Sequence, residues 1–186
     1  PYPTQYVGPF CLKQGEEVRV RPIRPEDEPA LAEFHGTLSE QTVYLRYFHA
    51  LKLSQRINHE RLSRLCFIDY DREIALVVDR TPSDDKPEIL GIGRLSKIHG
   101  TNDAEFAMLV ADRYQCQGMG TALLAKLIAI AKDEGIDRLL GEILPDNQAM
   151  RHICQKLGFQ VHRSEGLVFA VLPLSDKAKE QTQEPA

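Results

Sequence analysis

Apolar residues change period along this chain, and the changes mark its elements. Glu17-Val18-Arg19-Val20-Arg21-Pro22-Ile23 alternates and predicts a strand, with Pro22 at an edge or at the strand's end. Arg24-Pro25-Glu26-Asp27-Glu28 opens a helix: Pro25 suits the first turn and the acids complement the dipole. Leu31, Phe34 and Leu38 carry its apolar face. Ser39 is the expected N-cap of a second helix, with Val43, Tyr44, Tyr47, Phe48 and Leu51 at helical spacing. That aromatic cluster reads as core packing ahead of substrate contact. A third helix is expected over Ser54 to Leu65.

The period then shifts. Ile74 to Val78 is a short buried strand, Thr81 to Pro87 a turn by its chemistry, and Ile89 to Leu95 the returning strand of a hairpin. Ser96 to Asp103 is a connector. Glu105 to Val110 alternates again, and Thr121 to Lys132 reads as a helix with Gly135 at its C-terminal turn. Arg138 to Ile143 is a further strand, and Asn147 to Leu157 a helix closed by Gly158-Phe159. Gln160 to His162 and Leu167 to Leu172 form a last antiparallel pair. Residues 1–15 read as a linker or strap, 16–174 as one domain of mixed α and β structure, and 175–186 as a flexible tail.

Composition narrows the function. At 186 residues the chain is long enough for one full core. A formal net charge of −4 argues against a nucleic-acid or anionic-membrane partner. The apolar runs are too short to span a bilayer and no signal peptide opens the sequence, so a cytoplasmic protein is expected. Cys11, Cys66, Cys116 and Cys154 are scattered, and His99, His152 and His162 stand alone, so neither a disulfide framework nor a metal site is expected.

One stretch carries chemistry. Gln115-Cys116-Gln117-Gly118-Met119-Gly120 joins the end of an expected strand to the start of an expected helix. The first helical amides have no intrahelical partner and sit at the positive end of the dipole, which makes an anion site. Gly118 and Gly120 allow close approach and positive φ. The spacing matches neither a P-loop nor G-x-G-x-x-G. A phosphate-bearing ligand held by backbone follows.

This turn resembles the Q/R-x-x-G-x-G/A element of the GNAT acetyltransferases. Asn147-Gln148-Ala149-Met150-Arg151-His152-Ile153-Cys154-Gln155-Lys156-Leu157-Gly158-Phe159 resembles their N-x-x-A-x-x-x-Y-x-K-x-G-F element, in the expected order. Arg21 to Glu28, Val43 to Phe48 and Ala104 to Val110 are further similar to the C-terminal domain of bacterial Pat-type protein lysine acetyltransferases. The resemblance implies a GNAT fold: a central mixed, mostly antiparallel sheet flanked by helices and splayed at the acetyl-CoA site. It implies acetyl transfer from acetyl-CoA, with no metal, to a lysine of a protein, an acyl-CoA synthetase among the candidates. A synthetase-like region often precedes the domain in that family, which suits a chain that opens on Pro1 rather than Met. The alternatives are a small-molecule amine as acceptor and a non-catalytic acyl-CoA sensor.

The resemblance implies roles. Glu105, on the strand before the turn, is the expected general base, because a lysine at pH 7 is almost wholly protonated. Met108, Leu109 and Val110 are expected to pair with the pantetheine arm as an added strand. Gln115, Cys116, Gln117, Gly118, Met119, Gly120 and Thr121 are expected to hold the pyrophosphate, with Gln115 a neutral donor where the family often has Arg. Asn147 is an N-cap that also faces the cofactor. Cys154 stands where many relatives have a Tyr that protonates the departing thiolate. A covalent route through Cys116 or Cys154 is disfavoured, because nothing nearby reads as an activating base.

Overall fold

The computed structural model describes residues 2–80 and 86–183. The turn expected over Thr81 to Pro87 lies largely outside them.

Eight strands form one sheet: β1 (Gly8–Cys11), β2 (Glu17–Pro22), β3 (Glu73–Arg80), β4 (Glu88–Lys97), β5 (Asp103–Val110), β6 (Arg138–Ile143), β7 (Gln160–Ser164) and β8 (Leu167–Pro173). Their order is β1-β2-β3-β4-β5-β6-β8-β7, and every pairing is antiparallel except β5 with β6. The helices are α1 (Glu28–Gly36), α2 (Glu40–Tyr47), α3 (Leu53–Arg56), α4 (His59–Cys66), α5 (Met119–Asp133), α6 (Gln148–Lys156) and α7 (Asp176–Gln183). Gly91 and Gly93 of β4 face α5: a Cβ on either would stand 3.1 Å from Met119 Sδ or 3.3 Å from Leu127 Cδ1. Helices α1 and α2 contact β4 and β5. Pro22 ends β2 beyond its pairing with β1, so its missing N–H costs that ladder nothing.

Three expectations need correction. The strap over residues 1–15 contains β1, whose Gly8 to Cys11 pair with Val20 to Glu17. The single helix over Ser54 to Leu65 is two helices. Asn58 (ψ 130°) turns the chain and its Oδ1 accepts the amides of Glu60 and Arg61, capping α4 afresh. The tail begins with a helix: Ser175 Oγ accepts the Ala178 amide, Ala178 is buried, and the Leu174 amide donates to the Asp137 carbonyl at 2.7 Å. Its polar sequence hides this because one small residue, not an apolar stripe, makes the contact.

A buried ionic cluster ties β2 to β3 and to the entry of α1. Arg21 is 2% exposed; Nε donates to Asp79 Oδ2 at 2.8 Å, while Nη1 and Nη2 grip both Asp27 oxygens at 2.7 Å. Burial works against the Asp79 carboxylate, but hydrogen bonds from Arg19 and Arg21 outweigh it and hold its pKa below the usual range.

Candidate functional site

β5 and β6 pair only over Asp103 to Glu105 with Arg138 to Leu140. Beyond that level β5 runs on to Val110 and β6 to Ile143 without pairing. They part where the Phe106 ring lies on Gly141: a Cβ there would stand 2.5 Å from the ring. The same ring meets Phe159 edge-on at 5.5 Å. The Ala111 amide donates to the Leu90 carbonyl on β4. Backbone groups alternate sides along a strand, so Leu109 and Ala107 also turn theirs to β4. Met108 and Val110 present theirs to the opening.

This opening is a cleft of about 390 Å³. Glu105 to Val110 form one wall, Glu142, Ile143 and the Ala149, Met150 and Ile153 side of α6 another, and Thr42, Leu45, Arg46 and Tyr47 of α2 with Phe48 just past it overhang the cleft. Gln115, Cys116 and Gly120 close its end at the start of α5. No acceptor among the described residues takes the amides from Cys116 through Thr121. The turn holds them together through Cys116 at φ 63° and Gly118 at φ 89°. A left-handed Cys is strained, which suits a conformation the surroundings impose. Gly120 is needed for room: a Cβ would come 2.9 Å from Ile153 Cδ1. Lys13 runs beside Gly118, its Cε 3.6 Å from where a Cβ would stand, and its amide donates to the Gln117 carbonyl at 3.2 Å.

The structure thus brings together Glu105, Met108, Leu109, Val110, Gln115, Cys116, Gly120 and Asn147 around one cleft. Leu109 contributes its side chain, since its backbone faces β4. Gln117, Gly118, Met119 and Thr121 lie on the same turn just outside the walls; Met119 is buried under Gly91. Gln115 Nε2 donates to the Val110 carbonyl and to Thr42 Oγ1, each at 3.1 Å. This neutral donor therefore ties β5 to α2. Asn147 caps α6 by accepting the Met150 amide at 3.2 Å.

Cys154 is fully buried, does not line the cleft, and burial pushes its thiol up to about 12. It can neither protonate a leaving group in the cleft nor attack as a thiolate. Tyr47 and Phe48, expected as core, line the cleft, while Tyr44 is exposed.

The sequence reading gave no role to Glu142 or Arg46. Both line the cleft with Glu105. Partial burial and the Glu142 carboxylate raise the pKa of Glu105, against the pull of Arg46. Glu142 lies two residues past the last β5–β6 pair, on the strand opposite Glu105, a placement that only the sheet register reveals. Such a carboxylate at a cleft mouth suits a general base. Among the described residues no His, Cys, Asp and Glu cluster could hold a metal ion, and no helix is long and apolar enough to cross a membrane.

Comparisons with known proteins agree with this geometry. A profile of the acetyltransferase (GNAT) domain matches residues 17–160. An acetyltransferase of Pseudomonas aeruginosa is 30% identical over 148 residues, 80% of this chain and 77% of that protein. Acetyltransferase Pat of Mycolicibacterium smegmatis is 30% identical over 150 residues; they cover 81% of this chain but 43% of Pat. The crystal structure of the GNAT domain of S. lividans PAT superposes with a TM-score of 0.83 at 28% identity, over 94% of this chain and all of that one. The open β5 edge, the glycine turn heading α5 and these likenesses agree: the chain belongs to the GNAT family of acetyltransferases.

Proposed function

We propose that the protein transfers the acetyl group of acetyl-CoA to the ε-amine of a lysine on a protein in the cytoplasm, with Glu105 as general base. The observation that carries this reading is the continuity of one edge. The unpaired side of β5 begins just past Glu105, runs by Met108 to Val110 and ends at the free amides of residues 116–121. The residues fit the ligand. Free amides at a helix start suit a pyrophosphate, and Lys13 alongside Gly118 adds a cation. The backbone of Met108 suits the amide groups of pantetheine. The Val110 carbonyl already accepts from Gln115, so Val110 has its N–H to offer.

In the proposed step the lysine nitrogen attacks the thioester carbon. Glu105 first takes the ammonium proton and so frees the lone pair; an N–C bond then forms, the C–S bond breaks, and the electron pair leaves on sulfur. The second proton lost by the nitrogen passes through water to the departing thiolate, because Cys154 is sealed in the core. The likeness to Pat and to the S. lividans PAT domain supports a protein acceptor, with acyl-CoA synthetases as first candidates.

The test incubates the protein with labelled acetyl-CoA and a cell lysate, followed by mass spectrometry of lysines. Acetyl-lysine on protein, absent with Glu105→Gln, is the expected result. Acetylation of small amines alone would remove the protein acceptor. Acetyl-CoA binding without transfer to either class would leave a sensor.

A further inference from the structure

A second hollow, of about 80 Å³, opens under α2 beside the cleft. The two share Arg46, Tyr47 and the Ala107 to Leu109 stretch of β5. The hollow is distinguished by three guanidinium groups: Arg46 of α2, Arg61 of α4 and Arg94 of β4. Arg94 gives Nε and Nη2 to Glu73, but its Nη1 is buried and meets no acceptor among the described residues. Arg61 Nε is in the same condition. Arg46 and Arg61 lie against the Tyr47 ring, 4.8 and 5.3 Å from its centre.

Arg21 is the contrast within the same molecule: each of its guanidinium nitrogens meets a carboxylate. Arg46, Arg61 and Arg94 are half-buried rather than sealed like Arg21; an arginine cannot shed its charge, and a buried N–H left without an acceptor, as on Arg61 and Arg94, is completed by an anion. Glu73 is engaged by Arg94, and Glu105 faces Arg46 from the cleft side. The local field is positive. The neighbouring His35 is pushed down to about 4 by burial and then by Arg56, Arg61 and Arg46.

We propose that this hollow is an anion subsite of the transfer cleft, receiving a carboxylate carried by one of the two reactants. The carboxylate is either the free end of a dicarboxylic acyl group on the CoA donor or an acidic group beside the acceptor amine. The inference rests on reading the cleft as an acyl-transfer site. Guanidinium forks match carboxylates in a two-point grip, and the volume suits a carboxylate on a short stem. The hollow touches β5 at Ala107 to Leu109, so a group attached to a thioester or amine beside that strand can reach it.

The test has two arms. The donor arm compares succinyl-CoA with butyryl-CoA, matched in chain length and differing in the carboxylate, by calorimetric binding and by transfer. The acceptor arm compares transfer to peptides whose lysine is followed by Asp or by Asn. In one arm the carboxylate-bearing member is expected to be preferred by about tenfold or more, and Arg61→Gln to bring that ratio near one. Arg46→Gln is the second variant should Arg61→Gln fold poorly by circular dichroism. The arm that responds identifies the source. Ratios near one in both arms, or a preference that survives both variants, overturn the proposal. Preferential binding of succinyl-CoA without any transfer would keep the subsite and sink the transferase reading; acetyl transfer with no carboxylate preference would do the reverse.

Discussion

Replacing Glu105 by Gln keeps the shape of the side chain and removes its basicity. A lysine of pKa about 10.4 is neutral in roughly one molecule in 2,500 at pH 7 and in roughly one in ten at pH 9.4. A positioned base contributes about 10²–10⁴-fold, so kcat/KM at pH 7 should fall by that factor. The variant depends on amine that is already neutral, and its rate should climb about 200-fold between those two pH values. The parent enzyme behaves differently. Its kcat/KM should rise as Glu105 loses its proton, at a pH above the usual carboxylate range because burial and Glu142 raise its pKa, and then level off. The gap between the two proteins should therefore close at high pH. Thiol release followed from pH 5 to 9.5 measures it, with acetyl-CoA affinity checked by calorimetry. Parallel profiles, or a variant as fast as the parent at pH 7, would refute the role of Glu105.

Gly141→Ala places a Cβ 2.5 Å from the Phe106 ring. It should cost about 1–3 kcal/mol in urea unfolding and, by shifting the start of the open edge, raise KM for acetyl-CoA. Arg21→Met strands the buried Asp27 carboxylate and leaves Asp79 to Arg19 alone, and should cost about 3–5 kcal/mol in the same assay, with part recovered on adding Asp27→Leu. His35 titrates at about 4 in the fold and near 6.5 when unfolded, so the unfolded chain binds the extra proton between those values. Stability should hold above pH 6.5 and fall by up to about 3 kcal/mol on acidification toward pH 4, as read by melting temperature; His35→Gln should flatten that slope.

Much of this was legible in the chain. Period-two and helical patterns placed β5, β6, α5 and α6, because each buries one face against a neighbour and its sequence records that face. The turn around Gly118 was legible because a helix start after a strand has fixed chemistry. Other features left no such record. The break at Asn58 depends on one side chain choosing two amides over a continuing helix. α7 is held by Ala178 and a capping serine, too little apolar surface to mark. Arg46, Arg61 and Arg94 are far apart in sequence and converge only when α2 and α4 fold onto β4 and β5. Cys154 stands at the motif's Tyr position yet points into the core, since a motif fixes spacing and not what the neighbours leave accessible.

The bond from the Lys13 amide to the Gln117 carbonyl joins the loop after the outermost strand to the glycine turn. It acts as a latch across the rim of the molecule. Strand β1 cannot peel from β2 without tugging the segment between Cys116 and Gly118, whose unusual dihedrals leave it little slack. A displacement of β1 is thereby passed to the anion cradle, whose shape is coupled to whatever holds that rim in place.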